Sequence, residues 1–152
     1  IVPTLRVMVH DTGASPTYTN DKLEETIVVA AYLIQDEIAF PQDYTITIST
    51  KTISPDPTIL PDIAFINLVN LRAACFIRDA EAKSASNQSV KVIDGPTTID
   101  ATGRGKTAAE LADKCREVYE NAKLNYNLGQ SRIGHAIITP SSANGIVGDM
   151  LF

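Results

Sequence analysis

The chain has 152 residues and a net charge of −5, a length that fits one domain with a modest core. Hydrophobic residues make up 44%, which predicts a folded core rather than a disordered chain. The acidic balance shows no basic stripe for sequence-specific DNA binding, and with no Trp and 6% aromatics the chain lacks rings for a base-stacking or sugar-binding surface.

The opening stretch IVPTLRVMVH alternates Leu5, Val7 and Val9 with Arg6, Met8 and His10. Period two predicts a strand, at a sheet edge or in an arm that pairs with a neighbour. DTGASPTYTN is a turn-rich break, so residues 1–18 read as an N-terminal arm or strand. TNDKLEETIVVAAYLIQDEIAF is the first clear helix. Thr19 or Asn20 can cap it, Asp21, Glu24 and Glu25 favour its positive end, and Pro41 stops it. Leu23, Ile27, Ala30 or Ala31, Ile34 and Ile38 form one apolar stripe.

Ile46 and Ile48 alternate with threonines in a β-branched run that predicts a strand, with a turn at Thr50 and Lys51 and a short return through Thr52 and Ile53. Pro55, Pro57 and Pro61 stiffen the connector. A second helix follows, capped by Asp62. Ile66, Val69, Ala73, Phe76, Ile77 and Ala80 share one face, while Phe65, Leu68 and Leu71 widen the arc, so burial on two sides is expected. Asn67, Asn70, Arg72, Arg78 and Glu81 are assigned to the polar surface. Residues 90–93 and 97–99 flank an Asp-Gly turn, a hairpin signal.

The third long helix is expected to begin at Thr107, with Glu110 completing a capping box, and to stop near Gly129. Leu111, Cys115, Val118 and Ala122 form its predicted seam. Cys75 and Cys115 fall in helical apolar patterns and read as small buried hydrophobes; nothing in the sequence demands a disulfide between them. No run approaches the ~18 apolar residues of a membrane span, and no secretory leader is visible. The tail contains HAIIT, which reads as a strand, and ends in the apolar IVGDMLF, which needs a covering surface. The fold class is therefore mainly α, a three-helix bundle-like core with short β-hairpins and extended N- and C-terminal arms. Residues 19–128 form the helical domain and 129–152 the C-terminal arm.

Chemistry is sparse. TGRGKT at residues 102–107 supplies the end of a phosphate loop, but Asp100 stands where the first glycine belongs. A nucleotide-binding regulatory protein using this stretch is kept as the alternative of another class. Arg104 and Lys106 otherwise read as a basic loop that could touch a neighbouring subunit. His10 and His135 are isolated, no serine lies in a nucleophile elbow, and the carboxylates are explained by capping or solvated faces. No catalytic, cofactor-binding or metal-binding residue is assigned.

The order of these elements resembles the head–tail connector proteins of tailed bacteriophages, the adaptor or head-completion class beneath the portal. The likeness runs from about Thr19 to Asn127. It comprises TNDKLEETIVVAAYLI, an extended segment ending ISPDPT, the central helix PDIAFINLVNLRAACFI, then DGPTTIDATGRG and a polar helix with Tyr119. Pro96 and the glycines either side of Arg104 depart from the family pattern. The resemblance implies a non-enzymatic virion protein of the neck, assembled in the host cytoplasm, or else a tail-terminator or other neck ring protein. It implies rings, typically dodecameric, that bind the portal and the next neck or tail protein and let genomic DNA pass without sequence-specific binding, with no membrane and no cofactor. Carried onto this chain, His135, Ala136, Ile137, Ile138 and Thr139 would pair as a strand with partner backbone, and Ile146, Val147, Met150, Leu151 and Phe152 would anchor in the partner.

Overall fold

The computed structural model describes residues 1–59, 61–87, 91–94, 97–100 and 102–130; for 91–94, 97–100, 102–104 and 130 only the backbone element is described. In chain order the elements are α1 (Val2–Met8), α2 (Asn20–Glu37), β1 (Thr45–Thr47), β2 (Thr52–Ser54), α3 (Ile63–Asn87), β3 (Lys91–Asp94), β4 (Thr97–Asp100) and α4 (Thr102–Gln130). The protein is mainly α. Two antiparallel hairpins interrupt it, with Ile46 opposite Ile53 in the first and Val92 opposite Ile99 in the second.

The helix starts follow side-chain capping. Thr19 Oγ1 accepts from the Lys22 N–H at 3.2 Å and opens α2. Asp62 Oδ1 accepts from the Phe65 N–H at 2.9 Å and opens α3, each satisfying a backbone donor that the first turn leaves free. Lys51 takes a left-handed conformation (φ 53°) to close the first hairpin.

Helix α3 is the centre of the molecule. Helices α1 and α2 pack on it and on each other, and α4 lies along another of its faces. Its consecutive buried residues, Leu68, Val69 and Asn70 and then Ala73, Ala74 and Cys75, reflect burial on more than one side. The α2 stripe of Leu23, Ile27, Ala30, Ala31, Ile34 and Ile38 is buried as its spacing requires. At one end of the bundle, Tyr44 stacks on Phe65 with ring centroids 4.0 Å apart. Phe40 meets Phe65 at 5.2 Å and Tyr126 at 5.3 Å, so aromatic contacts join the ends of three helices.

The helices depart from the sequence expectations at three places. The N-terminal stretch is neither a strand nor a free arm. It forms α1, with Pro3 in the first turn, where its missing N–H costs nothing. Leu5 and Val9, four apart, are buried in the core, while Val7 is 64% exposed, which is helical spacing and not alternation. Helix α4 begins at Thr102 rather than Thr107, so TGRGKT is helix and not a flexible loop. The Lys106 and Thr107 amides therefore point back to carbonyls four residues earlier instead of outward to a phosphate. Finally, the α4 seam is turned: Ala112 and Tyr119 are buried and Cys115, Ala122 and Tyr126 pack against the core. Leu111 and Val118 stand 50% and 51% exposed.

Asn70, which the sequence places on the polar surface, is 0% exposed, and among the described residues neither amide atom has a hydrogen-bond partner. An unsatisfied buried amide is a standing cost. Asn70→Leu, which keeps the branching and removes both polar atoms, is expected to stabilise the fold by about 1–3 kcal/mol. Urea unfolding checks this; a lower midpoint would mean that the amide is satisfied by internal water.

Candidate functional site

The densest polar constellation is built around Glu37, the last residue of α2. Its Oε1 accepts from Arg72 Nη2 at 2.9 Å, and its Oε2 accepts from Tyr119 Oη–H at 2.9 Å and Lys123 Nζ at 3.2 Å. Arg72 belongs to α3, and Tyr119 and Lys123, one turn apart, belong to α4. The Arg72 guanidinium also lies 4.9 Å from the Tyr119 ring centroid and 5.1 Å from that of Phe76, a cation–π sandwich. Lys123 is braced in turn by Glu120 at 2.7 Å.

The electrostatics follow from position. Helix α2 has no basic residue in its last turn, so a carboxylate there faces the negative end of the helix dipole. Partial burial also disfavours the charge. The bonds from Tyr119 and Lys123 and the charge of Arg72 outweigh both, and the Glu37 carboxyl titrates below its ordinary range. Burial and then the bond to Glu37 push the Tyr119 hydroxyl upward, so it stays a donor. A carboxylate whose oxygens already hold two cations and a phenol is a structural anion, not a base awaiting a substrate.

An open groove of ≈ 610 Å³ lies at the aromatic end of the bundle, lined by Pro41, Pro55, Pro57 and Pro61 with Tyr44 and Tyr126. Its carboxylates are engaged. Asp62 caps α3 and accepts from Tyr44 Oη at 3.0 Å; Asp56 accepts from the Thr58 amide and hydroxyl at 2.8 and 2.6 Å. The groove offers shape and apolar surface rather than a nucleophile. Among the described residues, no three His, Cys, Asp or Glu side chains converge as a metal would require. No described helix is long and apolar enough to cross a membrane.

The third surface is the outer side of α4. Leu111 and Val118, seven residues apart, flank the buried seam, and Leu124 and Leu128 are exposed further along the helix. Lys106 is exposed near its start. Arg104 shares that helix, but its side chain lies outside the described residues. His135, Ala136, Ile137, Ile138, Thr139, Ile146, Val147, Met150, Leu151 and Phe152 also lie outside them. By sequence, Glu37 is one more carboxylate on a helix and Arg72 belongs to a polar face, yet the two are paired. The signal for their pairing is the unfavourable acid in the last turn of α2, together with Tyr119 and Lys123 at helical spacing on α4. Comparison with protein-family models, curated proteins and solved structures gives no match to this chain.

Glu37→Gln keeps an acceptor but removes the charge, and is expected to cost about 1–3 kcal/mol at neutral pH. The folded carboxyl titrates below its unfolded value of about 4.3, so its contribution is complete above that pH and is lost as pH falls through the folded value. Urea unfolding of both proteins should show a stability gap at neutral pH that narrows as pH falls below the unfolded value of about 4.3. A gap of constant size across that range would contradict the assignment.

Proposed function

We propose that this chain is a structural component of a tailed-bacteriophage neck. Copies form a ring that joins the portal to the next neck or tail protein and extends the DNA channel, without catalysis. The reading rests on the order of elements that resembles the connector class: a capped helix, a hairpin ending in ISPDPT, a long central helix, a second hairpin and a long last helix.

The observation that carries it is α4. This helix is 29 residues long and commits one seam to the core while leaving Leu111, Val118, Leu124 and Leu128 open. A helix that is apolar on more than one side suits a subunit with a core to cover and a neighbour to meet. A ring of identical copies requires such a head-to-tail contact between two different surfaces of each copy. Lys106 and Arg104, near the start of α4, supply cations for an acidic neighbouring copy in a chain of net charge −5. The same acidic balance favours passage of DNA without adhesion. In this reading His135, Ala136, Ile137, Ile138 and Thr139 add a strand to the portal, and Ile146, Val147, Met150, Leu151 and Phe152 anchor there. The location is the virion neck, reached by assembly in the host cytoplasm.

Imaging of purified particles tests the reading directly, with a ring of this chain expected between portal and tail. Particles that lack the chain would overturn it. Deleting the residues after Pro140 is expected to leave the helical circular-dichroism spectrum and its cooperative melt intact while abolishing co-sedimentation with portal-bearing heads. Loss of the melt would assign the tail to the core and not to a partner.

A further inference from the structure

We propose that Cys75 and Cys115 form a dithiol site that closes to a disulfide across α3 and α4 on exposure to a low-molecular-weight disulfide of the glutathione type. The inference is independent of the assembly reading. Its basis is the antiparallel ladder between the two helices. Leu68 and Tyr126 line one shallow depression. Arg72 lies over the Tyr119 ring. Asp79 Oδ1 accepts from Arg116 Nη2 at 2.8 Å. Toward the far end, a Cβ placed on Gly105 would stand 3.5 Å from Ser86 Cα, so the two backbones run close. Cys75 and Cys115 occupy the rung between Arg72 with Tyr119 and Ser86 with Gly105.

Small residues narrow that interface. Ala73, Ala74 and Ala112 are buried beside the pair, and a disulfide needs Cα atoms no more than about 7 Å apart. Both thiols are free; Cys75 is buried and Cys115 is half-buried. A side-chain bond to Cys115, followed by burial, holds the proton on Cys75, and a bond to Cys75 is the first cause lowering Cys115. Cys115 is the more accessible sulfur.

The order of events follows. The Cys115 thiolate attacks one sulfur of the small disulfide, forming a mixed disulfide and expelling a thiolate. Cys75 gives its proton to that leaving thiolate and attacks Cys115 Sγ, expelling the second small thiolate, which takes up the proton Cys115 had released. Two protein thiols are oxidised and one small disulfide is reduced to two thiols. The product is a covalent clasp from α3 to α4 that encloses the β3–β4 hairpin in a closed loop.

Equilibrating the full-length chain in glutathione buffers of graded poise, followed by acid quench, intact-mass measurement and peptide mapping, tests the proposal. The wild type is expected to lose two hydrogen atoms and yield a Cys75–Cys115 cross-linked peptide, with Tm raised by about 10 °C over the reduced form. Cys75→Ser is expected to stop at a mixed disulfide on Cys115, and Cys115→Ser to take up no glutathione. Two free thiols in the wild type under fully oxidising buffer, a cross-link only between chains, or first modification at Cys75 would each overturn it. The wild-type result decides even if a serine variant fails to fold.

Discussion

The carboxylate at the end of α2 is the constraint on which the arrangement of helices depends. Glu37 sits where its own helix repels it, and only side chains from other elements can offset that. Arg72 and the Tyr119–Lys123 pair do so from α3 and α4. A partly buried ion cluster of this kind is weak evidence for net stability, because desolvation consumes much of the attraction. Its consequence here is register. With Tyr119 turned to reach Glu37, Ala112, Cys115, Ala122 and Tyr126 follow it inward, and Leu111 and Val118 are left on the flank. Which apolar side chains of α4 stay exposed is therefore set by a polar contact on the adjacent, buried face of the same helix.

Much of the fold was legible because local chemistry and tertiary packing agree. Thr19 and Asp62 cap where their side chains allow, and the α2 stripe is buried as spaced. The β-branched runs around Lys51 pair as a hairpin. Where two periods fit equally well, the reading failed. Leu5 and Val9 satisfy both an alternating strand and a helical step of four, and a stretch this short gives no third repeat to decide. Burial against α2 and α3 selects the helix. Helix α4 departs from its sequence pattern at two points. Glycines at 103 and 105 argued for a loop, since each costs a helix about 1 kcal/mol; Gly105 instead lies against the Ser86 backbone. Leu111 and Val118 complete a four-three-four spacing with Cys115 and Ala122, yet it is Tyr119 that carries the hydroxyl bonded to Glu37.

The candidate site was less legible than the fold. Its groups are brought together from three helices, and no window of sequence contains them. Asn70 shows the same limit. Its amide suits a solvated face by residue type, but α3 is covered on more than one side and leaves no such face there. The TGRGKT stretch lost its phosphate-loop geometry once α4 was seen to include it, since helical amides bond along their own axis. What remains on α4 among the described residues is an apolar flank with Lys106 near its start.

In the proposed ring, the open flank of α4 meets another copy of the chain. Sedimentation analysis of the wild type and of the double variant Leu111→Asp, Val118→Asp measures this most directly. The wild type should sediment as a closed multi-subunit species, and the variant as a folded monomer of 16.4 kDa. A wild type that remains monomeric at every concentration, or a double variant that assembles as the wild type does, would contradict it.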